Sequence, residues 1–221
     1  MSRAIVLLSG GLDSAVTLAH SVHEGNENIA LSFSYGQRHT RELDSARAVA
    51  GHYGVKHITI NIDLSEFRSS LIGRSGEVEK DRENIGRNIP DTYVPARNMI
   101  MLSIAVGLCE SMDAEAIYIG ANAVDYSGYP DCRREFFDSL TDTIRKGTKA
   151  GAEGRPIRIG TPILDMSKAE IIKLGKRLNA PLHLTWSCYG GGERACGHCD
   201  SCMLRLKGFK DAGYEDEVTY E

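Results

Sequence analysis

Apolar and polar positions alternate along this chain in blocks. Short apolar runs at residues 3–8, 29–34, 56–62 and 115–120 have the length and β-branched content of buried strands. Longer stretches between and after them carry apolar residues at three- to four-residue spacing, which predicts helices over 13–24, 39–53, 96–112, 134–149 and 167–178. In the second of these, Leu43, Ala46, Val49 and Ala50 share one face. The β-α-β-α order predicts a parallel sheet covered by helices on both faces. Right-handed crossovers bring the loops after each strand to one rim, where such folds bind ligands. Two segments break the alternation. Residues 63–95 are polar, with Arg74, Lys80, Asp81, Arg82 and Glu83, and read as a functional flap or a mobile region. The segment 184–209 is rich in cysteine and glycine. The expected division is therefore an α/β domain over 1–183 with a small module over 184–221 packed on it.

Composition narrows the class. The chain has 221 residues, 42% hydrophobic and 25% charged, enough to bury a core without disulfide staples. Its net charge of −4 argues against holding nucleic acid by bulk charge. No apolar run approaches a membrane span. The run Ala4-Ile5-Val6-Leu7-Leu8 ends in Ser9-Gly10-Gly11 and reads as a strand rather than a signal peptide. A cytoplasmic protein is expected, with its six cysteines as thiols or metal ligands.

The candidate chemistry begins at Ser9-Gly10-Gly11-Leu12-Asp13-Ser14, between the first strand and the first helix. Glycines let backbone approach an anion, and the helix behind them aims free N–H groups and a positive dipole end at it. Ser9 and Ser14 add hydroxyl donors. The loop lacks the Gly-Lys-Ser/Thr of kinase-type phosphate loops and the Gly-x-Gly-x-x-Gly of dinucleotide folds. Asp13 either caps the helix or holds Mg²⁺ arriving with the phosphates.

Near the C-terminus, Cys188, Cys196, Cys199 and Cys202 run C-x7-C-x2-C-x2-C. Four thiolates with no open position suit one structural tetrahedral Zn²⁺; an iron–sulfur cluster also satisfies the spacing. His198 reads as a bystander, Cys109 as core and Cys132 as the one loop cysteine outside the set.

Three polar loops should share the rim with the phosphate loop: Tyr35-Gly36-Gln37-Arg38-His39, Tyr93-Val94-Pro95-Ala96-Arg97-Asn98, and the segment from Gly120 to Arg133. Arg97 and Arg133 are candidates to clamp a carboxylate or neutralise phosphoryl charge. Asp125 and Asp131 are candidates for ring N–H and amino groups of a purine-like base. Lys168 either reaches the phosphates or stands exposed beside Ser167, a helix cap.

The phosphate loop resembles that of the N-type ATP pyrophosphatases, enzymes that adenylate a carbonyl oxygen and release pyrophosphate. Together with Gly36-Gln37-Arg38-His39, Tyr93-Val94-Pro95-Ala96-Arg97-Asn98, the stretch from Asp125 to Arg133, and Trp186-Ser187-Cys188-Tyr189, the chain resembles the 7-cyano-7-deazaguanine synthase family over residues 3 to about 210. That resemblance implies a Rossmann-like fold of the adenine nucleotide alpha hydrolase type. It implies conversion of 7-carboxy-7-deazaguanine and free ammonia to the nitrile base that precedes queuosine, with ATP and Mg²⁺ as cosubstrate and no direct binding of tRNA. It implies an ATP site over Leu8, Ser9, Gly10, Gly11, Leu12, Asp13, Ser14, Ala15, Val16, Thr17 and Leu18. Asp13, Ser14, Arg97 and Arg133 are then expected to take part in catalysis. Arg97, Asn98, Asp125, Asp131 and Arg133 are expected at the base, the four cysteines hold zinc, and a homodimer is preferred. Two rival readings use the same residues: a tRNA-thiolating relative that needs a reactive cysteine, and an adaptor that binds nucleotide without turnover.

Overall fold

The structure is a computed structural model and describes residues 2–37, 39–67, 69–72, 80–81, 92–124 and 129–221. Five strands form one parallel sheet: β1 (Arg3–Leu7), β2 (Glu27–Ser34), β3 (Lys56–Asn61), β4 (Ala116–Ile119) and β5 (Arg158–Gly160), in the order β3-β2-β1-β4-β5. The helices are α1 (Leu12–His23), α2 (Arg41–His52), α3 (Arg97–Ser111), α4 (Arg134–Gly147), α5 (Lys149–Ala152), α6 (Lys168–Arg177) and α7 (Asp200–Ala212).

Side chains of a strand point alternately to its two faces, and both faces of this sheet are covered. Ile5 and Leu7 of β1 pack with Leu102 and Cys109 of α3 and Phe137 of α4. Ala4 and Val6 face the other way, onto Ala15 and Leu18 of α1 and Val49 of α2. This explains why β1 is apolar throughout rather than alternating: a parallel strand buried on both sides has no polar face. A third cluster joins α1 to α6 and α7 through Val16, Ile171, Ile172 and Phe209.

The strand order reverses at β1. The chain builds β2 and β3 on one side, then returns to place β4 and β5 on the other. The crevice beyond the carboxyl ends of β1 and β4 is the ligand position that such a reversal creates.

Several expectations need correction. The three-residue β5 was too short to stand out in the sequence, yet it pairs along Ala116–Tyr118 of β4. The helix expected over 134–149 stops at Gly147. Thr148 takes an extended conformation, and its hydroxyl accepts a bond from the Gly151 amide at 3.0 Å, starting the separate turn α5. Within the segment 63–95, Leu64, Ile72 and Val94 are buried in the sheet's core cluster. Its residues Lys80 and Asp81 lie against the cysteine loop, through a bridge to Cys199 and a bond from the Asp81 amide to the His198 carbonyl at 2.9 Å. Arg74, Arg82 and Glu83 lie outside the described residues.

Candidate active site and four-cysteine cluster

The loop after β1 is shaped by its neighbours. Gly10 has φ +90°, and a Cβ there would fall 2.0 Å from the Glu42 carbonyl oxygen and 2.7 Å from the Ala46 nitrogen. Its glycine is thus required by the backbone of α2 pressing on the loop. Gly120, just past β4, is the matching close approach on the other side: a Cβ there would lie 2.9 Å from the Asp13 carbonyl carbon. Gly11 differs. It is the extended N-cap of α1, provides no side-chain cap, and a Cβ there would meet nothing closer than the Ser9 hydroxyl at 3.5 Å. The first amides of α1 therefore open toward the crevice, with Ser9 Oγ 3.1 Å from Ser14 Oγ and Ser14 Oγ donating to the Gly11 carbonyl. Asp13 is not a cap. Both its carboxylate oxygens receive the Lys168 ammonium, at 2.7 and 2.8 Å. Lys168 is not left exposed beside Ser167 either: Ser167 makes a capping box with Glu170, while the Lys168 side chain is 11% exposed.

A cavity of about 270 Å³ opens over this loop. Of the expected nucleotide residues, Leu8, Ser9, Gly11, Leu12, Asp13 and Ser14 line it. Gly10 is buried and does not line it, and Ala15, Val16, Thr17 and Leu18 are buried in the packing of α1. Arg97 and Asn98, at the start of α3, line it too. Burial opposes the charge of Arg97, but the phenols of Tyr35, Tyr129 and Tyr189 more than offset it and hold its pKa above the ordinary value. Ala96, just before it, sits at φ +53°, a left-handed conformation that costs a non-glycine residue about 1–2 kcal/mol. Its amide donates to the Tyr93 hydroxyl at 3.1 Å, so the turn that aims Arg97 is strained and held.

The other expected base contacts are placed differently. Asp131 is buried and turned toward α3, accepting the Asn98 amide at 2.9 Å, and it does not line the cavity. Arg133 is exposed and outside it as well. Asp125 lies outside the described residues. Glu42 and Arg205, which no motif had marked, do line it, as do Ser187 and Tyr189, which belong to a motif but had no site role assigned. Glu42 is half-buried, and burial pushes its carboxyl up to about 7 despite Arg97 nearby. A cue was available, since Glu42 opens the helix that follows the rim loop 35–39. Cys132 lines the cavity too, but burial pushes its thiol up to about 12, and Asn98 Nδ2 donates to its sulfur at 3.2 Å. Cys109 is core, its thiol likewise raised to about 12 by burial.

The four cysteines form a second centre. Cys188, Cys196, Cys199 and Cys202 are all buried and free of disulfides, and their sulfurs lie within 4.8 Å of one another. The edge of a tetrahedron of sulfurs about 2.3 Å from a central ion is about 3.8 Å, so this donor set fits one metal ion. Amides of Gly190 and Cys196 donate to the Cys188 sulfur, and those of His198 and Cys199 to Cys196. Cys199 is also the N-cap of α7, whose dipole favours negative sulfur. The exposed His198 ring stays outside the cluster, 3.0 Å from Asp81.

This centre is tied to the phosphate loop. The Trp186 amide donates to the Gly10 carbonyl at 2.9 Å, and the Arg41 guanidinium stacks 3.9 Å over the Trp186 ring. Behind it, Arg205 is 3% exposed and uses all five of its N–H donors, on Asp216, Thr185, Ser187 and the Leu182 carbonyl. The tail after Asp211 held no sequence motif, yet Asp216 is the buried counter-ion of Arg205 and residue 220 bridges to Ala195.

The family model described as "Queuosine biosynthesis protein QueC" matches residues 3–213. The chain belongs to the QueC family. A 7-cyano-7-deazaguanine synthase of Acetivibrio thermocellus is 53% identical, with 100% of this chain and 98% of that one covered. A protein of the same name from Thermoplasma acidophilum is 50% identical over 99% of this chain and 92% of its own. Among solved structures, a predicted subunit of a tRNA methyltransferase from Methanocaldococcus jannaschii aligns over 100% of this chain and 93% of its own, with a TM-score of 0.52 at 16% identity. That likeness shows the fold alone. For a QueC-family member, the cavity joins in one space a helix N-terminus able to take phosphate and an arginine able to take a carboxylate. Among the described residues no helix is long and apolar enough to cross a membrane.

Proposed function

We propose that the chain converts 7-carboxy-7-deazaguanine and ammonia to 7-cyano-7-deazaguanine in two ATP-driven rounds, through an adenylated carboxylate and then the amide. The observation that carries this reading is the single cavity shared by the open amides of α1, the Asp13–Lys168 pair and Arg97. A carboxylate is a poor electrophile, and adenylation makes its oxygen a leaving group. Ammonia then displaces AMP, and a second activation removes the amide oxygen. Ser9, Gly11 and Ser14 with the α1 amides receive the phosphates, and Mg²⁺ travels with them beside Asp13. Arg97 holds the carboxylate, Asn98 lies beside it, and Asp131 acts by setting Asn98 and the first turn of α3. The work is positioning and charge stabilisation, and no nucleophilic side chain is required. The four cysteines hold one structural Zn²⁺, which cross-links the module carrying Trp186 and so braces the phosphate loop.

The reaction takes place in the cytoplasm on small molecules, without direct contact to nucleic acid, as the charge of −4 supports. A homodimer is supported by α3, whose sequence is apolar on nearly every face while Met99 remains 47% exposed. The buried, hydrogen-bonded thiol of Cys132 counts against a thiolating relative, which needs a reactive cysteine. The test is mass spectrometry of 7-carboxy-7-deazaguanine incubated with protein, Mg·ATP and ammonium. The nitrile mass, absent without ATP, is expected. An unchanged base with intact ATP would refute the assignment, and bound but unconsumed ATP would favour an adaptor.

A further inference from the structure

Of the described residues that line the cavity, two are acids, Asp13 and Glu42. Asp13 pairs with Lys168. Among the described residues, no side chain hydrogen-bonds to the Glu42 carboxylate or ion-pairs with it. Glu42 is half-buried in the first turn of α2, and the helix beneath it is fixed. A Cβ on Gly10 would meet the Glu42 carbonyl and the Ala46 nitrogen, one turn apart on the side of α2 that presses on the phosphate loop. Arg41, the preceding residue, stacks over Trp186 and donates to the Glu193 carbonyl at 3.0 Å. The Glu42 charge acts on Tyr35, whose hydroxyl lies 3.5 Å from Arg97 Nη1, and it feels the Arg97 guanidinium in turn. A carboxylate without a partner is out of place in a space that takes anions, since it repels both phosphate and a substrate carboxylate. Burial disfavours its charge, and an arriving cation restores it. The reaction proposed above brings such a cation, because its nitrogen donor is mostly ammonium at neutral pH. Mg²⁺ asks for several oxygens at once and travels with the phosphates, on the side of Asp13.

We propose that Glu42 is the ammonia subsite: its carboxylate binds the ammonium ion near Arg97 and takes the proton that frees the attacking lone pair. The inference rests on the ammonia-dependent reading above. One N–H bond of ammonium breaks, and its proton goes to a Glu42 carboxylate oxygen. The freed lone pair forms the C–N bond to the adenylated acyl carbon. The C–O bond to AMP breaks, and its electron pair leaves with AMP. The nitrogen then sheds a second proton to water, which leaves the neutral amide. Glu42 returns its own proton to water before the next ammonium arrives.

Kinetics of the metal-loaded protein separate this step from adenylation. Glu42→Gln is expected to lower kcat/KM for ammonium about a hundredfold, with KM for ATP and for the carboxylate base within about twofold of wild type. Pyrophosphate exchange into ATP needs the base but no ammonium, and it should stay within about threefold of wild type. Hydroxylamine, largely uncharged above neutral pH, needs neither a counter-charge nor a proton acceptor, so hydroxamate formation should fall less than about threefold in the same variant. Glu42→Asp draws the charge back by one methylene. It should lose about tenfold with ammonium and less than about threefold with hydroxylamine, and it carries the test if Glu42→Gln fails to fold. Equal losses with ammonium and hydroxylamine, or pyrophosphate exchange lost in step with amide formation, would overturn the subsite. So would wild-type kinetics in Glu42→Gln, or a raised Mg²⁺ requirement with an unchanged KM for ammonium. A wild-type protein that exchanges no pyrophosphate and forms no product would instead count against the proposed function.

Discussion

The Arg205–Asp216 pair offers a sharp test of how the C-terminal tail is held. Asp216 accepts from Arg205 Nε at 2.6 Å, Arg205 Nη2 at 2.9 Å, the Val218 amide at 3.2 Å and the Tyr220 hydroxyl at 2.6 Å. Both charged side chains are 4% exposed. Asp216→Ala leaves a buried guanidinium with three neutral acceptors, the hydroxyls of Thr185 and Ser187 and the Leu182 carbonyl. Breaking a buried pair in this way costs about 3–5 kcal/mol, because the remaining charge is uncompensated. Unfolding entropy near 2.1 cal/mol/K per residue gives roughly 0.46 kcal/mol/K for a chain of this length, so Tm should fall by roughly 6–11 °C. Asp211→Ala is the control. Its partner Lys207 is an exposed residue one helical turn away, 74% accessible, and losing such a pair costs under about 0.5 kcal/mol, or about 1 °C. Calorimetry of the metal-loaded protein measures both. If Asp216→Ala melts within about 2 °C of wild type, like Asp211→Ala, the tail is not sealed by this ion pair in solution and the reasoning fails.

Two adjacent glycines should behave oppositely. Gly10→Ala drives a methyl into the α2 backbone at a positive φ and should destabilise by more than about 2 kcal/mol in urea unfolding, whereas Gly11→Ala should melt like wild type yet weaken ATP binding severalfold by calorimetry. Equal melting of the two variants would refute the steric argument. Cys132 and Cys109 have thiols raised to about 12 by burial, so both stay protonated near neutrality, and iodoacetamide at pH 8 should leave both unmodified in the native protein. Modification should accelerate only as pH rises toward 12; rapid alkylation of Cys132 at pH 8, read by peptide mass, would contradict its buried placement. Cys199→Ser should lose bound metal and lower Tm, since a four-cysteine site contributes to folding. Full zinc content by elemental analysis with an unchanged melt would remove that residue from the ligand set.

The sequence by itself determined the parallel α/β class, because strands buried on both faces must be apolar runs and helices between them must carry a periodic apolar face. It determined the phosphate loop as well, since Ser9-Gly10-Gly11-Leu12-Asp13-Ser14 is a contiguous local motif, and the cysteine set, which spans fifteen residues and closes on itself. The three-residue β5 and the split at Thr148 escaped because neither is long enough to show a period. Tertiary structure decided everything that depends on which distant groups meet. Asp13 could read as a helix cap until α1 proved to start behind Gly11 and α6 brought Lys168 across 155 residues to pair with it. Asp131 looked like a base contact until the turn before α4 aimed it at the first turn of α3. Gly10 looked like room for an anion, and its clash proves to be with α2. Periodicity and short motifs are encoded by neighbours along the chain. Charge partners and close approaches are properties of packing, and they exist only once the sheet order β3-β2-β1-β4-β5 has brought distant segments together.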